Sequence, residues 1–236
     1  MGNFDKKWER FWEIFIEHDG YVKVLTGLQN TLIIAVGGLA IGILIGTIIA
    51  VSRVYPRKHL LPKMLYGLST LYVGLFRGTP IVVQLLVAYY VILPLLGVNW
   101  PALHVCVLVF GLNSSAYVSE IMRSGIMSVD PGQMEAGRAL GLSYRTTMMK
   151  IIVPQAVKNI LPTLGNEFIS LIKETSVVSF VGAADLYVAF SYIGSNSYEF
   201  MVPYLVMAVI YIALVALAAT LIKLMERSLR RSDRRH

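Results

Sequence analysis

Five stretches of the chain are apolar over the roughly 20 helical residues that a hydrocarbon core requires, at about 24–52, 64–95, 101–123, 160–184 and 201–224. The second is too long for one straight span. Gly74, Gly78 and Pro80 near its middle predict a kink or a break between a leading helix and a crossing one. Irregular backbone at that depth is tolerated only where it faces protein or water. Ahead of the first span the pattern changes period. Phe4, Trp8, Phe11, Trp12, Phe15 and Ile16 recur at helical spacing opposite Asp5, Lys6, Glu9, Glu13 and Glu17, so residues 1–20 read as an amphipathic helix lying in the membrane interface. No apolar core or small-residue cleavage site precedes Tyr21, which argues against a signal peptide. The fold class that follows is all-α: a multi-pass membrane domain over 21–226, with a polar loop at 128–158 and a basic tail at 227–236.

Composition agrees with this reading. With 56% hydrophobic and 15% charged residues, 236 residues carry too little polar side chain to cover a soluble globule. The net charge of +7 therefore speaks first to topology and not to nucleic acid, which is not expected as a partner. Arg53, Arg57, Lys58 and Lys63 follow the first span. Arg123, Arg138, Arg145, Lys150 and Lys158 surround the 128–158 loop, and Lys223, Arg227, Arg230, Arg231, Arg234 and Arg235 follow the fifth span. The short connections at 95–100 and 185–200 contain no Lys or Arg. The positive-inside rule places the amino terminus outside and the loop and carboxyl terminus in the cytoplasm. Lys6, Lys7, Arg10 and Lys23 oppose this but are accompanied by five acids. Gly38, Gly42 and Gly46, four apart, predict a helix-packing seam. The single cysteine, Cys106, excludes an intrachain disulfide.

The loop carries start and stop signals. Asp130 caps, Pro131 suits the first helical position, Gln133 can complete a capping box, and Gly141 gives the permissive backbone for a stop. Ser143 caps a second helix that Pro154 is expected to terminate or kink, and Glu135 and Arg138 are spaced to pair. The segment Glu135-Ala136-Gly137-Arg138-Ala139-Leu140-Gly141, followed after nine intervening residues by Ile151-Ile152-Val153-Pro154, resembles the EAA loop of ABC importer permeases, with Gly137 and Val153 where Ala and Leu are usual. Arg77-Gly78-Thr79-Pro80 with Gln84 resembles the polar amino acid permease subfamily. Thr26, Asn30 and Thr31, and Lys173-Glu174-Thr175-Ser176, extend the likeness over about 20–226.

The resemblance implies a type I importer permease of about five spans in the cell membrane that pairs with itself or a close relative. It implies two ATP-binding-cassette ATPase subunits, an extracytoplasmic solute-binding protein and a polar amino acid substrate, with 135–141 as the coupling helix seated on the ATPase. The chain is then no enzyme and holds no cofactor, since ATP is bound by the partner ATPases. Accordingly no G-x-x-x-x-G-K-[ST] phosphate loop occurs. The four histidines are dispersed and the lone cysteine lacks a ligand partner, so no metal site is expected. Ser114-Ser115 has no His and Asp in catalytic spacing.

Arg77, Glu167, Lys173 and Glu174 fall within the spans, where each charge would cost about 2.5–3.5 kcal/mol at the centre of a lipid-facing helix. They must face protein, a water-filled cavity or one another. One reading is a structural ion pair such as Arg77 with Glu174. The other is a zwitterion site, with Arg77 or Lys173 for the α-carboxylate, Glu174 or Glu167 for the α-ammonium, and Thr79, Gln84, Asn113 and Thr175 for hydrogen bonds. Glu120, near the cytoplasmic boundary, is expected to pair with Arg123. The rival class is an ion-gradient-driven secondary transporter or channel for small polar solutes, which has no reason to carry the coupling loop.

Overall fold

The computed structural model describes residues 3–56 and 59–233, and side chains from residue 4 to residue 228. Arg57, Lys58, Arg234 and Arg235 lie outside the described residues, as do the side chains of Arg230 and Arg231.

Helix α1 (Asn3–Trp12) runs into a π turn at Glu13–Glu17. It is followed by α2 (Gly20–Val54), α3 (Leu60–Gly78) and α4 (Ile81–Val87), which continues through a π turn at Ala88–Ile92 to Leu95. Then come α5 (Ala102–Met127) and α6 (Pro131–Ala139). Helix α7 starts at Tyr144–Thr147, passes a π turn at Met148–Ile152, continues over Val153–Glu174 and tightens to 3-10 geometry at Thr175–Val181. Helices α8 (Leu186–Ser197) and α9 (Met201–Asp233) are the last two among the described residues. Among the described residues there is no strand. Three single helices, α2, α5 and the Met201–Ser228 part of α9, are long and apolar enough to cross a membrane. The count reaches five if the α3–α4 and α7–α8 pairs each form one bent span.

The break expected in the second span falls at Thr79-Pro80, between α3 and α4. Thr79 is extended, at φ −123° and ψ 145°, because the proline ring crowds a helical residue before it. Two other expectations fail. The helix that carries the fourth span begins well before residue 160, since α7 runs continuously from Tyr144 to Val181, and of the two outcomes expected at Pro154 the termination does not occur. The π turn explains the passage. The Val153 N–H bonds to the Met148 carbonyl, five residues back, so the ladder is already widened where the proline ring enters and removes a donor. Second, the stretch 185–200, read as a short connection, holds α8. Asp185 starts it, its Oδ1 accepting from the Val188 N–H at 2.9 Å. Gly182, left-handed at φ +73°, ends the preceding 3-10 segment, and α7 and α8 differ in direction by 56°.

The chain divides into two compact units. One comprises the residues up to 38, with 80–110 and 170–217. Its core is Phe11 and Ile14 of the amino-terminal segment with Val24, Leu186, Ala189, Phe190, Ile193 and Val202. Helix α1 is thus seated by Phe11 and Ile14, while Phe4, Trp8, Trp12 and Ile16 stay exposed and Lys7 Nζ bonds Glu199 Oε1 at 2.9 Å. The other unit comprises 39–79, 111–169 and the chain from 218 onward. Here Val118, Ala156, Ile160 and Leu164 pack with Leu39, Ile43 and Ile121. The small-residue seam operates in this unit: a Cβ on Gly42 would sit 2.8 Å from Ser114 Oγ, and one on Gly46 would sit 2.8 Å from the Ser115 carbonyl oxygen.

Candidate functional site

The first helix of the 128–158 loop starts and stops where its sequence signals lie. Asp130 Oδ1 accepts from the Gly132 N–H at 2.8 Å, and Pro131 opens α6. At the far end Leu142 N–H reaches the Gly137 carbonyl and Gly141 N–H the Arg138 carbonyl, both at 3.0 Å. With Gly141 at φ +80°, this is a Schellman ending. Ser143 Oγ accepts from Thr146 N–H at 3.1 Å and starts α7. The Glu135–Arg138 pair expected from spacing does not form. Arg138 Nη1 donates instead to the Leu142 carbonyl at 2.9 Å, holding the carbonyl end of α6 where a cation is favoured. Glu135, Ala136, Arg138, Ala139 and Leu140 are exposed, Leu140 by 81%, whereas Gly137 is buried. A Cβ on Gly137 would stand 2.5 Å from Thr147 Cγ2, so glycine at this position sets how closely α6 seats on α7.

In the same unit a cavity of about 370 Å³ is lined by Arg77, Tyr117, Glu120, Ser124, Ser128, Asn159 and Thr163, among others. The Arg77 guanidinium lies over the Tyr117 ring, 5.3 Å from its centroid, within the range of a cation–π contact. Glu120 is held from two sides. Arg123 approaches at 2.9 Å, as its position suggested, and Arg53 of α2 binds the other carboxylate oxygen. Asn159 Nδ2 donates to Ser128 Oγ at 2.9 Å. Beside the cavity wall, Asn113 Nδ2 donates to the Phe76 carbonyl at 3.4 Å and Thr79 Oγ1 to the Leu75 carbonyl at 2.8 Å. Glu167 Oε1 accepts from Ser114 Oγ at 2.8 Å. Arg77, Asn113 and Glu167 are therefore linked in one neighbourhood through Phe76 and Ser114.

The remaining candidates belong to the other unit. Gln84 is half-buried in α4, and Lys173 and Glu174 are exposed at the last α-helical turn of α7. Thr175 is fully buried, its hydroxyl donating to the Ile172 carbonyl at 2.8 Å.

Residues 42–231 match the family described as binding-protein-dependent transport system inner membrane component. The chain belongs to this family. The permease is 35% identical over 210 residues, 89% of its own length and 94% of the relative's, to the arginine transport system permease protein ArtQ of Bacillus subtilis (strain 168). It is 36% identical over 206 residues, 87% and 92% of the two chains, to the putative glutamine transport system permease protein GlnP of Rickettsia bellii (strain RML369-C). Among solved structures it matches a chain of an amino acid ABC transporter crystallised with histidines, at 40% identity and TM-score 0.82, covering 91% of the permease and 98% of that chain. A chain of the MetNI methionine ABC transporter in an inward-facing conformation matches at 19% identity and TM-score 0.70, covering 92% and 97%; this likeness shows the fold alone. The permease is thus a multi-pass inner-membrane subunit of an ABC importer.

Two features of the permease were not read from sequence. Arg53 appeared only as a cytoplasmic charge, yet it reaches Glu120, 67 positions away. Tyr117 is one aromatic residue among many in a span, and only its helical spacing from Glu120, Ile121 and Ser124, which puts all four on one face, marks it.

Proposed function

We propose that the permease translocates a polar amino acid, delivered by an extracytoplasmic solute-binding protein, and that ATP hydrolysis on two separate ATPase subunits drives the step. A second permease copy, identical or closely related, completes the pathway. The amino terminus lies outside, the carboxyl terminus and α6 in the cytoplasm. The names of the relatives, arginine and glutamine permeases, support the cargo class.

The observation that carries the coupling is the seat of α6. Residues Glu135 to Gly141 present an exposed face to the ATPase, while Gly137 rests on the buried Thr147 side chain of α7. Because α7 is unbroken from Tyr144 to Val181, a displacement of α6 is passed along one helix into the membrane. ATP supplies the differential affinity for the two states, and the permease itself needs no nucleotide site.

Within the pathway Arg77, held over Tyr117, receives the substrate carboxylate and Glu167 the ammonium. Thr79, Gln84, Asn113, Lys173, Glu174 and Thr175 are the further candidates. Reconstitution with the ATPase and binding protein tests the reading: substrate-loaded binding protein is expected to stimulate ATP hydrolysis and uptake together. Uptake that proceeds on an ion gradient without the ATPase would assign the chain to the secondary transporters instead.

A further inference from the structure

Lys23 runs against the charge bias of the chain, at the amino-terminal end of a helix long and apolar enough to cross the membrane. It is exposed and makes no ion pair among the described residues. Its ammonium lies instead over the Tyr192 ring of α8, 4.2 Å from the centroid, a cation–π contact that leaves N–H donors for an anion. Lys23 and Tyr192 share a cavity of about 350 Å³ with Val22 and Thr26 of α2 and Val188 of α8, among others. Thr26 directs its hydroxyl proton to the Val22 carbonyl at 2.9 Å. The Lys23 ammonium and the Tyr192 phenol are therefore the side-chain donors that the cavity offers.

A second cavity, of about 610 Å³, is lined by Leu25, Leu28, Gln29, Leu32, Ile33 and Val36 of the same helix. Val22, Thr26, Gln29 and Ile33 fall at i, i+4, i+7 and i+11, so one stripe of α2 passes from the first cavity into the second. Leu25, Ile33 and Val36 are exposed there. From Leu25 to Val36 the groove is about 17 Å long at about 1.5 Å per residue, roughly half of a hydrocarbon core and so about one leaflet deep. Its chemistry is graded along that length. The cation stands at one end, the exposed Gln29 amide lies about 9 Å further along the axis, and Leu32, Ile33 and Val36 continue as hydrocarbon. Phosphate, ester carbonyls and acyl chain follow one another in the same order in a phospholipid. A soluble partner would meet the Lys23 end and not Ile33 or Val36 inside the span. An α2–α2 contact with a second copy, about an axis along the membrane normal, would bring two Lys23 ammonium groups to one level.

We propose that α2 and α8 form a site for an anionic phospholipid, its phosphate held by Lys23 and the Tyr192 hydroxyl and one acyl chain lying in the groove from Leu25 to Val36. The lipid bridges α2 and α8 beside the point where Asn30 Nδ2 already fastens α2 to the Ala184 carbonyl at 2.8 Å. The test is photo-crosslinking of the full chain in nanodiscs of neutral phosphatidylcholine that carry a small fraction of phosphatidylglycerol with a diazirine on one acyl chain. Label is expected within residues 25–36. Lys23→Gln should lower its yield there about fivefold, the weight of one lysine at an anionic surface, while Lys63→Gln, at an exposed position of α3, should leave it unchanged. Ile33→Trp fills the groove, keeps the charge and should also lower the yield, whereas soluble glycerophosphoglycerol should not compete. Label spread evenly along the spans and equal in wild type and Lys23→Gln would mean bulk lipid only and would overturn the site. So would an unlabelled 25–36 segment, the result expected if a second copy covers the groove, and so would competition by the soluble headgroup or a yield that Ile33→Trp does not change.

Discussion

Replacing Gly137 tests the α6 seat most sharply. In the wild type the added Cβ would meet Thr147 Cγ2 at 2.5 Å, Oγ1 at 2.8 Å and Cβ at 3.2 Å. Carbon atoms rest at about 3.5–4.0 Å, so alanine requires α6 to lift by about 1 Å and leucine by more. Thr147 cannot swing aside easily, being fully buried with its hydroxyl on the Ser143 carbonyl at 3.1 Å. Overpacking of this kind costs about 1–3 kcal/mol. If about 1.4 kcal/mol of it is expressed in the docked state, coupling falls about tenfold. The expected result is therefore a drop of about tenfold in substrate-stimulated ATP hydrolysis for Gly137→Leu and a smaller one for Gly137→Ala, read in proteoliposomes with the ATPase and binding protein. Thr147→Ala removes the two nearest atoms, so combining it with Gly137→Ala should recover most of the loss. Unaltered stimulation in Gly137→Leu, or no recovery in the double variant, would refute the reasoning.

Other consequences are independent of that contact. Arg77→Ala should raise the KM for uptake by tenfold or more with the assembled complex intact, whereas Tyr117→Leu, which removes a contact of about 0.5–1 kcal/mol, should raise it about threefold. Glu120→Ala strands Arg53 and Arg123, which are only partly exposed, and should lower stability by about 2–3 kcal/mol in thermal unfolding, less than a wholly buried pair would. Glu199 is pushed upward by burial. The Lys7 ammonium and the Met201 and Val202 N–H groups outweigh this and hold its carboxyl below the usual carboxylate range. The attachment of α1 that depends on this charge is thus complete above the ordinary glutamate pKa and is lost as pH falls through the lowered value. Trp8 and Trp12 fluorescence should report the release on acidification, and Lys7→Ala should weaken that transition.

What could be read from the chain alone depended on how local its cause was. The break at Thr79-Pro80 and the ending at Gly141 arise from the backbone limits of single residues, and both stand where the sequence puts them. Pro154 misleads because the π turn before it is a cooperative property of α7 that no single residue announces. Helix α8 is hard to read from the chain because it is short and uncharged beyond its cap, although Asp185 before an apolar run is a usable signal. Side-chain partners were least legible. Arg138 preferred a carbonyl to Glu135, and Glu120 gained Arg53 from a distant helix, outcomes that depend on tertiary placement.

The most direct test of the coupling claim is uptake in proteoliposomes bearing the permease, its ATPase and loaded binding protein, with Leu140 on the exposed tip of α6 changed to Asp. Amino acid uptake in the wild type should require ATP on the α6 side, and Leu140→Asp should abolish uptake and stimulated hydrolysis together while the pathway residues remain untouched. Uptake that persists in the variant, or in the absence of the ATPase, would contradict the account.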